Sequence, residues 1–213
     1  MHVFINGFGR IGRSVLRAWA LGAAPGVQVV GINDIAAPEM CAYLFEFDSV
    51  FGPWHGTVAL EGGALVVNGR AIPLHRTPDL STLDLGGVDV VMECTGRADS
   101  REVAARGLQA GARRVLVSGP SAAADVTVVL GANEAALSDQ PIVSNASCTT
   151  NCLAPIVKVI HEGLGIKHGS ITTIHDVTNT QTIVDRPAKD MRRARSALLN
   201  LIPTTTGSAT AIT

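Results

Sequence analysis

Val3-Phe4-Ile5-Asn6-Gly7-Phe8-Gly9-Arg10-Ile11-Gly12 decides how this chain reads. Val3-Phe4-Ile5 is a short apolar strand, and Ile11, Val15, Leu16, Ala18 and Trp19 are spaced for a helix over residues 10–21. Between them lies a G-x-G-x-x-G. Alone, such glycines often make only a turn. Here a second strand, Val27-Gln28-Val29-Val30-Gly31-Ile32, leads to Asp34, about 20 residues beyond Gly12, and this is the context the dinucleotide-binding fingerprint requires. Gly7 permits the tight turn, Gly9 lets the backbone approach a pyrophosphate, and Gly12 lets the helix pack close to the strand. The helix N-terminus offers N–H groups and partial positive charge to the phosphates. The Asp34 carboxylate accepts from a ribose 2′-OH and repels a 2′-phosphate, which favours NAD over NADP.

Outward from this core, Val88-Asp89-Val90-Val91-Met92 and Arg114-Val115-Leu116-Val117 read as further strands, separated by a helical stretch near residues 99–110. Strand and helix in alternation imply parallel strands with crossover helices. Leu65-Val66-Val67-Asn68-Gly69-Arg70-Ala71-Ile72 breaks the rhythm, because Asn-Gly between two apolar runs signals an antiparallel hairpin. The fold class expected is α/β: a Rossmann-type dinucleotide-binding domain over residues 1–147, then the first part of an α+β catalytic domain over residues 148–213. No flexible linker separates them, and the second stretch is short for an independent domain.

Composition narrows the function classes. Hydrophobic residues make up 46% of 213, which excludes a disordered chain. A net charge of −1 argues against a general nucleic-acid binder or a membrane-surface protein, both of which rely on excess Lys and Arg. No apolar run reaches the ~18 residues of a spanning helix, and no secretory signal is read at the start. A cytoplasmic setting is therefore expected, with Cys41, Cys94, Cys148 and Cys152 as thiols.

Ser147-Cys148-Thr149-Thr150-Asn151-Cys152 follows the apolar pair Ile142-Val143 and precedes a run with helical spacing, so Cys148 falls at or near a helix N-terminus, although by residue type alone it reads equally well as a structural cysteine. There the dipole favours thiolate and draws a thiol from about 8.5 toward roughly 3.5–7.5. Cys152, one turn deeper, reads as a packed core thiol. Two cysteines at this spacing without a His pair make no zinc site, so no metal is expected. Ser170-Ile171-Thr172-Thr173-Ile174 reads as a strand that delivers His175 at its end. A lone His is usually solvated or structural, but a nucleophilic thiol needs a base within reach.

These stretches closely resemble the phosphorylating glyceraldehyde-3-phosphate dehydrogenases. The matching runs are Ile5 to Arg13, Asn33-Asp34, Phe47-Asp48-Ser49-Val50, Thr95-Gly96, Ser147 to Pro155, Arg192-Arg193-Ala194-Arg195 and Ile202 to Gly207, from one end of the chain to the other. The resemblance implies that Cys148 attacks an aldehyde to give a thiohemiacetal, with His175 as general base. Hydride passes to NAD, and inorganic phosphate attacks the thioester that remains. It puts Arg10 and Ile11 against the pyrophosphate, and Arg76, Thr95, Gly96 and Ser118 toward the adenine and nicotinamide ends. Ser147, Thr149, Thr178, Arg193, Thr206 and Gly207 match the substrate and phosphate sites. A homotetramer is implied for the full-length form. The bland reading of Arg192, Arg193 and Arg195 is a solvated basic turn, which holds for one or two of the three.

Departures from the pattern carry expectations of their own. The family's chains continue well past residue 213, so this one reads as C-terminally truncated, poorly stable and of little activity. Asp176 follows His175 where relatives more often have a small residue. Arg186-Pro187 stands where NAD-specific relatives often have Leu-Pro, and a cation there would relax the NAD preference. The run His175-Asp176-Val177-Thr178-Asn179-Thr180-Gln181 resembles a branch linked to arsenate resistance, in which arsenate replaces phosphate as acyl acceptor. The rival readings are an erythrose-4-phosphate dehydrogenase-like enzyme and an inactive NAD-binding fragment. Ser208 to Thr213 reads as the first turns of a helix.

Overall fold

Val3, Phe4 and Ile5 are 3%, 2% and 0% exposed, so the first strand is covered on both faces. A continuous apolar run is what a central parallel strand needs, because crossover helices cover both sides of its sheet. The computed structural model describes residues 1–178 and 181–205. It divides into two compact units, Met1–Cys148 and a second from Thr149 onward.

The first unit runs β1 (His2–Asn6), α1 (Arg10–Ala20), β2 (Gln28–Asn33), α2 (Pro38–Glu46), β3 (Phe47–Asp48), β4 (Gly52–Pro53), β5 (Val58–Glu61), β6 (Ala64–Val67), β7 (Arg70–His75), β8 (Val90–Glu93), α3 (Arg101–Ala104), α4 (Arg106–Gln109), β9 (Arg114–Val117), β10 (Val126–Thr127) and β11 (Ile142–Ser144). Among the described residues, nine strands form one sheet in the order β10-β11-β9-β8-β1-β2-β7-β6-β5. Every pairing from β10 to β7 is parallel, and the two outer pairings are antiparallel. β1 pairs with β2 on one side and β8 on the other. The chain therefore leaves β1 in opposite directions along the sheet, which is the arrangement that opens a ligand crevice at the carboxyl ends of the strands.

Side chains alternate across a strand, so the sheet has two cores. Phe4 joins Leu80, Leu85, Val91, Val115 and Ile142 in one. Ile5 joins Phe8, Leu16, Ile32, Phe45 and Leu65 in the other. The expected hairpin is present: β6 and β7 pair antiparallel, with Asn68 at φ 50° and Gly69 at φ 77°. Two positive φ angles make the turn whose twist matches its strands. The helical stretch near residues 99–110 is two short helices, α3 and α4. Bonds from Ala105 N–H to Arg101 and from Gln109 N–H to Ala105 carry the backbone across the division.

α5 (Cys148–Leu164) runs from the end of the first unit into the second, and it buries only Thr150. A 3-10 turn, Met191–Ala194, is capped by the Asp190 side chain, which accepts from Arg192 N–H. Two stretches differ from what their sequence leads one to expect. Ser170–Ile174 is not a strand, and Ile174 is fully exposed. A strand exists by pairing, and the described residues of the second unit hold no strand edge for it to join. Cys152 is exposed rather than packed in a core, because α5 has almost no buried face. The helix read over 208–213 lies outside the described residues, as do Asn179, Thr180, Thr206 and Gly207.

Candidate functional site

A cavity of about 510 Å3 opens at the carboxyl ends of β1, β2 and β8, lined by Asn6, Gly7, Gly9, Asp34, Glu93 and Thr95 among others. The glycines shape it in three different ways. Gly7 has φ +92°, and a Cβ there would stand 2.6 Å from Thr95 N and 2.7 Å from Cys94 C. At Gly12 a Cβ would stand 2.1 Å from the Gly7 carbonyl oxygen, so only glycine lets α1 approach this closely. Around Gly9 a Cβ would meet nothing within 4 Å. The space beside Gly9 is thus open, on the lining of the cavity, and this fits close approach of a ligand to bare backbone.

Gly9 is also the N-cap of α1, which has no side-chain cap bond and no acidic residue in its first turn. The first N–H groups of a helix lack intrahelical partners, so this end suits a phosphate. Arg10 and Ile11 lie in that first turn, both exposed. The Arg10 guanidinium itself reaches Asp48 Oδ2 at 2.5 Å. Asp48 also accepts from the N–H groups of Val50 and Phe51 at 2.8 and 3.0 Å. Burial pushes the Asp48 carboxyl up, but these three bonds together outweigh it and hold it well below the usual carboxylate range. Burial is likewise the largest influence on Arg13, lowering it, with the Arg10 charge next.

At the end of β2, Asp34 accepts from Phe8 N–H at 2.6 Å and from Ala36 N–H at 2.8 Å. Each carboxylate oxygen has a second lone pair, so hydroxyl donors can still be taken. Arg76 is exposed, with Nε donating to the Ile35 carbonyl at 3.0 Å. Thr95 and Gly96 follow β8, and the Thr95 N–H donates to Glu93 Oε1 at 2.9 Å. Ser118 follows β9, its N–H donating to the Glu93 carbonyl at 3.0 Å. The structure thus gathers Gly7, Gly9, Asp34 and Thr95 around one cavity, with Gly12 behind it.

The thiol stretch has its own geometry. Cys148 is the first residue of α5 and is exposed, and Ser147 and Thr149 flank it half-buried. None of the four cysteines is in a disulfide. By contrast, burial pushes the Cys41 and Cys94 thiols up to about 11. Two residues before Cys148, the buried Ala146 has φ 58°, a left-handed conformation that costs an alanine about 1–2 kcal/mol. No sequence signal marks it, since glycine is the residue that usually announces such a turn. Backbone strain of this kind gathers at functional sites.

In the second unit, His175 is exposed in irregular backbone, its Nδ1 2.7 Å from the Asp176 carbonyl. Thr178 N–H donates to Gln181 Oε1 at 2.7 Å. Arg193 lies in the 3-10 turn and donates to the Thr205 carbonyl at 2.7 Å. It lines a cavity of about 970 Å3 together with Arg186, Lys189, Asp190 and Arg192. Arg192 pairs with Asp190 at 2.8 Å, and Arg195 with Asp185 at 2.9 Å. Among the described residues no cluster of three His, Cys, Asp or Glu is placed to hold a metal, and no helix is long and apolar enough to cross a membrane.

Comparison with known proteins converges on one family. Residues 1–101 match the model described as glyceraldehyde 3-phosphate dehydrogenase, NAD binding domain. Residues 147–213 match that of the glyceraldehyde 3-phosphate dehydrogenase C-terminal domain. Glyceraldehyde-3-phosphate dehydrogenase of Geobacillus stearothermophilus is 49% identical over 99% of this chain and 63% of its own length. Glyceraldehyde-3-phosphate dehydrogenase 1 of Bacillus subtilis is 48% identical over the same shares, and the Thermotoga maritima protein is 48% identical over 99% of this chain and 64% of its own length. The chain thus spans just under two thirds of these relatives. Two matched domains in the same order, and relatives 48–49% identical over nearly the whole chain, place this chain in the glyceraldehyde-3-phosphate dehydrogenase family.

Proposed function

We propose that this chain is the cofactor-binding and thiol-bearing part of an NAD-dependent, phosphorylating glyceraldehyde-3-phosphate dehydrogenase. Residues 1–147 form the NAD-binding domain and 148–213 the first part of the catalytic domain. The observation that carries the reading is the glycine cradle: Gly7 and Gly12 have no room for a Cβ, and Gly9 faces open space at the crevice where a dinucleotide binds in such sheets. NAD bound there supplies the hydride acceptor. The N–H groups of the first turn at Arg10 and Ile11 hold its pyrophosphate, and Asp34 accepts from its ribose. Thr95, Gly96, Arg76 and Ser118 bound the remaining ends.

Cys148 supplies the nucleophile. Its sulfur attacks the carbonyl carbon of glyceraldehyde 3-phosphate, and His175 takes the thiol proton. Once the oxygen has taken up that proton, the thiohemiacetal would lose hydride from its carbon to NAD and its hydroxyl proton back to His175, leaving a thioester; an oxyanion would then displace the Cys148 thiolate and leave as the acyl phosphate, with Ser147, Thr149, Thr178, Arg193, Thr206 and Gly207 holding substrate and phosphate oxygens. The acceptor is inorganic phosphate, with arsenate the alternative suggested by the run from His175 to Gln181. The working assembly is a cytoplasmic homotetramer.

Two measurements test this. Calorimetric titration of the 213-residue chain should show NAD binding more tightly than NADP, and no NAD binding refutes the cradle. Iodoacetate at neutral pH should label Cys148 faster than Cys152, because only Cys148 opens the helix. Equal slow labelling supports an inactive NAD-binding fragment instead.

A further inference from the structure

Three of the cavity-lining residues, Asn6, Asn33 and Glu93, are buried polar side chains at the carboxyl ends of β1, β2 and β8. They form one hydrogen-bonded chain across the crevice floor. Thr77 N–H donates to Asn33 Oδ1 at 2.9 Å. Asn33 Nδ2 donates to Asn6 Oδ1 at 2.8 Å and to the Thr77 carbonyl at 3.0 Å. Asn6 Nδ2 donates to Glu93 Oε2. From the other side, Thr95 N–H donates to Glu93 Oε1 at 2.9 Å, and the Thr95 hydroxyl donates to the same oxygen.

The direction of every bond follows from the two ends. A backbone N–H only donates, and the chain begins at one (Thr77) and finishes at another (Thr95). Each asparagine accepts on its oxygen and donates from its nitrogen, so it passes the direction on unchanged. Somewhere the two directions must meet at a group that accepts on both sides. Glu93, 3% exposed, is that group, and among the described residues no cation is bonded to it.

We infer that Glu93 is a positioning residue of the nucleotide crevice: it ties the Thr95–Gly96 loop after β8 to Asn6 of β1 and, through Asn33, to Thr77 after β7. The width of the slot that receives the nucleoside is set by this chain. The inference rests on the dinucleotide-binding reading and adds to it a residue that makes no contact with the chemistry.

Glutamine at 93 breaks the logic with almost no change of shape. Its oxygen can face Thr95 N–H, but its NH2 then faces the NH2 of Asn6. Turning Asn6 over moves the clash to Asn33, and turning Asn33 over moves it to Thr77 N–H. The defect travels and never leaves. Combining Asn6→Asp with Glu93→Gln restores each bond. The carboxylate introduced at position 6 accepts from Asn33 and from the new amide at position 93, and the oxygen of that amide accepts from Thr95. Net charge is unchanged.

The test uses the 213-residue chain, with ADP-ribose titrated calorimetrically into wild type, E93Q, N6D and the double variant, and melting followed without ligand. Each single substitution should weaken ADP-ribose about tenfold, the scale of one misdirected buried bond, and the double variant should return to within about threefold of wild type. E93Q binding like wild type overturns the assignment, and so does a double variant as weak as the two losses combined. Melting points that move while affinities stay put reduce Glu93 to a packing role and also overturn it. A wild-type chain that fails to bind ADP-ribose overturns the dinucleotide reading itself, and this assignment with it.

Discussion

Alanine at Gly12 and alanine at Gly9 differ by one methyl group each from the native chain, yet the structure separates their effects. At Gly12 the added Cβ would lie 2.1 Å from the Gly7 carbonyl oxygen, 3.1 Å from Ile5 Cγ2 and 3.2 Å from Gly7 C. An ordinary carbon contact is about 3.5 Å, so the Gly7 oxygen or the start of α1 must retreat by more than about 1 Å. Neither is a pliable side chain. Gly7 N–H is bonded to the Asn33 carbonyl at 2.8 Å, and α1 is pinned by Leu16 at 0% exposure. Overpacking a core typically costs about 1–3 kcal/mol, and a backbone obstacle puts Gly12→Ala at about 3 kcal/mol. For a unit of this size that lowers the melting point by roughly 6–12 °C. At Gly9 no atom lies within 4 Å of the added Cβ, and the backbone, at φ −73°, suits any residue. Only the preference of an N-cap for glycine over alanine is lost, about 1 kcal/mol or less. Calorimetric melting and NAD titration of both variants give the comparison. Gly12→Ala should melt far below wild type, while Gly9→Ala should melt close to it and bind NAD at least tenfold more weakly, about 1.4 kcal/mol. A Gly12→Ala chain as stable as Gly9→Ala refutes the packing argument. A Gly9→Ala chain that binds NAD as wild type does refutes close approach at that position.

Three further outcomes are expected. Gly9→Ser should cap the first turn of α1 and raise stability by up to about 1 kcal/mol, while NAD affinity falls because the hydroxyl takes N–H groups meant for phosphate; urea unfolding and titration read both effects. Asp48→Asn loses a charge-assisted bond to Arg10 and should cost about 1–3 kcal/mol at pH 7. Because the folded carboxyl is held low, its contribution is complete above the unfolded value of about 3.9 and is lost as pH falls below it, so the gap between wild type and Asp48→Asn in urea unfolding should close on acidification. Alkylation with iodoacetamide at pH 8, mapped by peptide mass, should modify the exposed Cys148 and Cys152 in the native chain, and Cys41 and Cys94, whose thiols burial pushes up to about 11, only after unfolding.

The nucleotide half is legible because its determinants are local. A strand, three glycines and a helix follow one another within Val3 to Ala20, and Asn68-Gly69 carries its hairpin in two residues. What escapes a reading of the sequence depends on distant partners. Asp48 meets Arg10 across 38 positions, and Glu93 meets Asn6 across 87, so neither acid stands out in its own neighbourhood. Ser170–Ile174 fails in the other sense. Its β-branched composition describes a segment fit for a sheet, but the sheet must be provided by other residues. Cys152 misleads likewise, because helical spacing shows which residues share a face and not whether anything covers that face.

Ala146 narrows the substitutions that its position can accept. Its φ of 58° is a conformation that glycine enters without penalty and that asparagine and aspartate tolerate better than other residues, whereas valine, isoleucine and threonine are excluded by their branched Cβ. The side chain is also 4% exposed, which disfavours the two polar candidates. Sequence drift at 146 is therefore confined almost to alanine and glycine, and a lineage that exchanges one for the other changes the tension in the bend ahead of Cys148 while leaving its path intact.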